Sequence, residues 1–118
     1  MMDVSDVKKY IHANLRATAG LKEISAFFRK DPGYLDRQFR NIEGTTIKKY
    51  IDCELKTETV SRLHRDGAKG YEIGRELGFW SDQSFYRWTK RVFEVSYSLL
   101  QNQVRSENNS SDQEKLPR

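Results

Sequence analysis

Sliding the chain against itself by fifty positions pairs Leu35 with Phe85, Arg37 with Arg87, Arg40 with Lys90, Ile42 with Val92 and Thr46 with Ser96. Similar residue types return at similar places, so the chain reads as two copies of one supersecondary unit. Each copy has a short apolar-periodic segment, a turn and a longer segment, the pattern of a helix-turn-helix motif. In 118 residues there is room for the two copies and little else, and one compact unit is the default expectation.

Spacing and capping chemistry predict about seven helices and no strands. Val4, Val7, Ile11 and Leu15 follow helical spacing after Asp3 and Ser5, either of which can accept from first-turn amides. A second helix opens at Gly20 and Leu21, with Ile24 and Phe28 on its apolar face and Glu23 in its first turn. Asp31-Pro32 starts a third helix and Gly44 stops it. Thr45 or Thr46 begins a long fourth helix, with Ile47, Tyr50, Ile51, Leu55, Val60 and Leu63 inward, ending at Asp66-Gly67. Beyond Gly70 follow a short helix through Ile73 and Leu77, a Gly78-Phe79 turn, a helix from Ser81 to Val92 and a last one from Ser96. After Val104 the chain is polar and unpatterned and is expected to be a flexible tail. The expected divisions are a domain over 1–104, with helix-turn-helix units over 21–44 and 70–92 and a connecting helix over 45–66, followed by a tail over 105–118.

At about 100° per residue, the third helix turns Leu35, Phe39 and Ile42 to one side and Gly33, Arg37, Arg40 and Asn41 to the other. In the later helix Phe85, Thr89 and Val92 face inward, and Gln83, Ser84, Arg87, Lys90 and Arg91 outward. Arginine pairs with two acceptors of guanine, glutamine does the same with adenine, and serine or lysine holds phosphate oxygens. A formal charge of +4 suits a polyanionic partner. With 36% apolar residues and 12% aromatic ones, the core must be small and aromatic-rich, and Trp80 and Trp88 are placed in it.

Other classes find no support in the residues. A single cysteine, Cys53, forms no internal disulfide, and with His12 and His64 it matches no metal-ligand spacing. No glycine-rich phosphate loop or catalytic spacing occurs, so neither an enzyme nor a cofactor is expected. Lys8, Lys9, His12 and Arg16 stand where a signal peptide would need an apolar run, and no run is long enough to span a bilayer. The expected location is the cytoplasm, with no membrane partner.

Residues from about 7 to 101 resemble the DNA-binding domain of the AraC/XylS family of transcription regulators. The resemblance rests on Leu21-Lys22-Glu23-Ile24, on Tyr34-Leu35 with Arg37, Phe39 and Arg40, on Gly44, on Lys49-Tyr50-Ile51, and on Ile73 through Gly78-Phe79 to Arg87, Lys90, Phe93 and Val95. It implies an all-α fold of about seven helices, two helix-turn-helix subdomains joined by a long middle helix. The two recognition helices would enter successive major grooves of double-stranded DNA. It implies a monomer on DNA, and RNA polymerase as a further candidate partner.

Carried over, the base-reading positions are Gly33, Asp36 and Arg37, then Gln83, Ser84 and Arg87, with Tyr34, Arg40, Asn41, Lys90 and Arg91 beside them. The chain departs from the family at Gly33 and Asp36, where DNA-contacting side chains usually stand, and at Thr89, usually Phe. Tyr97 and Gln101 replace the Pro and Arg of the family's closing segment. With no sensor domain before residue 7, the chain reads as a stand-alone member or a piece of a larger regulator. Gly33, Asp36 and the modest charge also suggest an alternative, a protein-binding adapter or anti-regulator of the same fold with weak or no DNA binding.

Overall fold

Seven α-helices account for the regular structure in the computed structural model, which describes residues 3–17, 20–65 and 69–115. They are α1 (Val4–Ala13), α2 (Leu21–Phe28), α3 (Pro32–Glu43), α4 (Ile47–Leu63), α5 (Gly70–Glu76), α6 (Asp82–Phe93) and α7 (Tyr97–Lys115). The helices part into two compact units that meet between Leu55 and Lys56, rather than forming one.

The fifty-residue repeat is written into the helix bounds. Pro32–Glu43 and Asp82–Phe93 are both twelve residues long and start fifty positions apart. Their caps match too: Asp31 accepts from the Tyr34 N–H, and Ser81 from the Ser84 N–H. At the other ends Gly44 (φ 79°) and Glu94 (φ 62°) are both left-handed stops. The next helices begin fifty apart as well, where Thr46 Oγ1 accepts from Lys49 N–H at 3.2 Å and Ser96 Oγ from Leu99 N–H at 3.3 Å.

In the first unit α1 and α2 both pack on α3, burying Val7, Ile11, Ile24, Leu35 and Phe39 with Ile47 of α4. The α1 helix starts at an Asp3–Asp6 capping box and stops at Asn14, short of Leu15. In the second unit α6 packs on both α5 and α7, and its core joins Ile73, Leu77, Phe85, Trp88, Leu100 and Val104. Close approach of α5 to α6 depends on Gly74, where a Cβ would lie 2.9 Å from Phe85 Cβ and Cγ.

Several inward assignments change. Along α4 the buried positions fall at every fourth residue, Ile47, Ile51, Leu55, Thr59 and Leu63, so Thr59 is enclosed where Val60 was expected. A four-residue step overshoots a full turn by about 40°, so the stripe winds round the helix. Ile42 is 66% exposed and its counterpart Val92 half-buried, and both lie in the last turns of their helices. Thr89 is fully buried as expected, and its hydroxyl is satisfied by donation to the Phe85 carbonyl at 2.8 Å. Trp88 lies beside it in the core, but Trp80 is 89% exposed and takes no part in packing.

The expected stop at Asp66-Gly67 lies outside the described residues. Among the described side chains Val104 is the last that is buried, and α7 continues as helix to Lys115.

Candidate nucleic-acid interface

Two helices carry the groups singled out in the sequence. On α3, Arg37, Arg40 and Asn41 are exposed, and Gly33 lies exposed in the first turn. None of these three side chains has a hydrogen-bond or ion-pair partner among the described residues. On α6, Gln83, Arg87 and Lys90 are exposed and equally unpartnered there, and Arg91 is exposed. Some charged side chains elsewhere are paired: Lys8 meets Glu43 at 3.2 Å and Arg16 meets Glu23 at 2.8 Å. Arg62 pairs with Glu58 and with Glu76, at 2.8 Å for the latter, and Arg65 adds a second contact to Glu76 at 3.0 Å. Hydrogen bonds from these two arginines hold the Glu76 carboxyl below its ordinary range.

Three expected groups turn out to be engaged in holding the fold. Asp36 is half-buried and its Oδ1 accepts the Ile47 backbone N–H at 2.9 Å, so it caps the start of α4. The Ser84 hydroxyl accepts from Ser81 N–H at 3.1 Å and donates to the Ser81 carbonyl at 2.9 Å, closing a capping box. The Tyr34 hydroxyl accepts from Gln38 Nε2 at 3.0 Å, although its ring is 43% exposed. The sequence showed the spacing of Asp36 and Ser84 but not the backbone groups they meet, one of which is eleven residues away.

The two faces differ in charge. On α6, Arg87, Lys90 and Arg91 stand against Asp82 alone, whereas on α3 Arg37 and Arg40 are balanced by Asp36 and Glu43. Each α6 cation is separated from Asp82 by at least one helical turn. The exposed Trp80, missed in the sequence, stands immediately before the Ser81 cap. The signal that could have found it is Phe79, whose ring takes the packing place, 5.1 Å from Phe85 and 5.1 Å from Trp88.

Among the described residues no group of three His, Cys, Asp or Glu side chains could hold a metal ion, and no helix is long and apolar enough to cross a membrane. Cys53 is exposed, and His12 Nε2 lies 2.9 Å from the Tyr50 hydroxyl.

Two capped helix-turn-helix units, each presenting a polar face on its second helix, define the class of fold: an all-helical double helix-turn-helix domain. Its particular likeness is to AraC-type DNA-binding domains. The DNA-binding domain of AdpA, a global transcriptional factor solved with a target DNA, matches over 90% of this chain and 96% of its own, at 16% identity and a TM-score of 0.75. The C-terminal domain of AraT, a response regulator from Geobacillus stearothermophilus, matches over 88% and 84% at 20% identity and a TM-score of 0.75. The C-terminal domain of the response regulator yesN from Fusobacterium nucleatum covers 86% and 95% at 20% identity and a TM-score of 0.73. In sequence, the chain is 28% identical over 95 residues to the Transposon Tn10 TetD protein of Escherichia coli, covering 80% of this chain and 69% of that protein. No protein-family profile matches the chain. The structural likenesses establish the fold.

Proposed function

We propose that the chain is a transcription regulator that binds double-stranded DNA sequence-specifically, with α3 and α6 each presented to a major groove. The observation that carries this reading is the repeat itself: two twelve-residue helices fifty positions apart, each bearing exposed polar and cationic side chains with no partner among the described residues. Six such groups, Arg37, Arg40, Asn41, Gln83, Arg87 and Lys90, match the donors and acceptors of base edges and phosphates. That AdpA's domain, of the same fold, is solved with a target DNA supports the reading.

The second unit carries most of the base reading. Gln83 and Arg87 sit in the first half of α6, the part of a recognition helix that reaches base edges, with Lys90 and Arg91 following for phosphates. The first unit anchors: Gly33 offers no side chain and Asp36 is spent on α4, leaving Arg37, Arg40 and Asn41. The adapter alternative loses the support that Asp36 lent it, because a helix cap accounts for that acid. A cytoplasmic protein acting as a monomer on DNA, without enzymatic activity and in contact with RNA polymerase, completes the proposal.

Selection of bound duplexes from a random pool tests it. Enrichment of a defined motif spanning up to about two helical turns supports the reading. A pool that stays random after repeated rounds, with equally weak binding throughout, refutes it in favour of the adapter.

A further inference from the structure

We infer that Trp80 is an additional DNA contact, its indole lying against the sugar–phosphate backbone at the mouth of the groove that α6 enters. The inference rests on the DNA-binding reading and adds to it a residue that reads no base. Trp80 is 89% exposed, the highest value among the large apolar side chains, and has no hydrogen bond or ring contact among the described residues. A residue just before an N-cap often folds back onto the fourth helical residue, here Phe85. Here that place is occupied, because Phe79, Trp88, Tyr86 and Tyr97 all have ring centroids within 6.2 Å of Phe85. Trp80 is thus displaced outward, three residues before Gln83 and seven before Arg87, at the end of α6 that base reading uses.

The chemistry fits a nucleic-acid strand. An indole has a flat apolar face for the deoxyribose and one N–H that donates to a phosphate oxygen, and it accepts nothing. Such a contact is indifferent to base identity. Being uncharged, it releases no counterion and leaves the salt dependence alone.

The chain has two tryptophans, and Trp88 is only 7% exposed, so quenching of tryptophan fluorescence by a solvent-borne quencher reports chiefly Trp80. The experiment quenches the intact chain and its Trp88→Phe variant with acrylamide, a neutral quencher that DNA does not repel. Both are measured with and without a saturating duplex enriched from the random pool, whose binding is followed by anisotropy of labelled DNA. The expected result is at least a twofold fall in quenching on binding. In parallel, Trp80→Ala should weaken binding about tenfold, equally on the enriched duplex and its single-base variants, with the slope of log affinity against log salt unchanged. If Trp88→Phe does not fold, the intact chain gives the same readout.

Bound duplex with unchanged quenching, or Trp80→Ala binding within twofold of the intact chain, overturns the inference and leaves the proposed function standing. Loss confined to particular base pairs also overturns the backbone assignment. A duplex that binds no form of the chain overturns both.

Discussion

Asp36 Oδ1 accepts the Ile47 N–H at 2.9 Å, so a single carboxylate ties α3 to the first turn of α4. Losing a cap of this kind costs about 1 kcal/mol, and Asp36→Ala should lower the melting temperature by roughly 4–8 °C. Thermal melts check this, and a variant that melts with the wild type would return Asp36 to the groove-facing set. The residue fifty positions on, Tyr86, meets the same place differently, with its ring 5.3 Å from that of Tyr97. Burial raises the Tyr97 hydroxyl above its ordinary 10.0, and the oxygen has no hydrogen-bond partner among the described residues. Tyr97→Phe should therefore gain about 1 kcal/mol by removing an unpaired buried hydroxyl. The sign with pH follows: a group whose folded pKa is raised lends stability that is complete below the unfolded value near 10 and is lost as pH rises through the folded one. Tyr50, raised chiefly by burial and by Glu54, adds a second contribution of the same sign. Denaturant melts from pH 9 to 11.5 should show a shallower alkaline loss for Tyr97→Phe than for the intact chain.

The elements were legible where local chemistry marks them. Asp31-Pro32, Gly44 and Ser81 bracket α3 and α6 through short-range caps, and the fifty-residue repeat survives in the helix bounds. Depth of burial was less legible. Ile42 has the same angular position as Leu35 yet is 66% exposed, because helical arithmetic gives direction and not how far a neighbour extends. Apolarity also misled at Val60, where position along the buried stripe selects Thr59. Of the candidate site, the cations were found and the capping roles of Asp36 and Ser84 were not, since those depend on backbone amides that spacing does not show. Gly74 tests the α5–α6 packing: Gly74→Ala puts a methyl 2.9 Å from Phe85 and should cost about 1–3 kcal/mol, read as a lower denaturant midpoint. On DNA, Arg87→Ala should erase preference at particular bases at about 1–3 kcal/mol, while Arg40→Ala weakens binding evenly. Equal loss of preference from both would remove the asymmetry between the units.

At the scale of the whole molecule, Val104 is the last buried residue among the described side chains, in the second of the two units. Ending the chain after Ser106 should leave the melting temperature within about 2 °C, whereas Val104→Ala should cost about 1–2 kcal/mol of stability and lower the melting temperature accordingly. The account also makes one demand on the intact protein, that its exposed cations and Gln83 recognise one DNA sequence over others. The most direct measurement is the affinity for the duplex enriched from the random pool against a scrambled duplex of equal length, titrated at several salt concentrations. The account predicts a preference of about 10³-fold or more near physiological salt, with log affinity falling against log salt at a slope of about −4 or steeper. Equal affinities for the two duplexes at every salt concentration would contradict it.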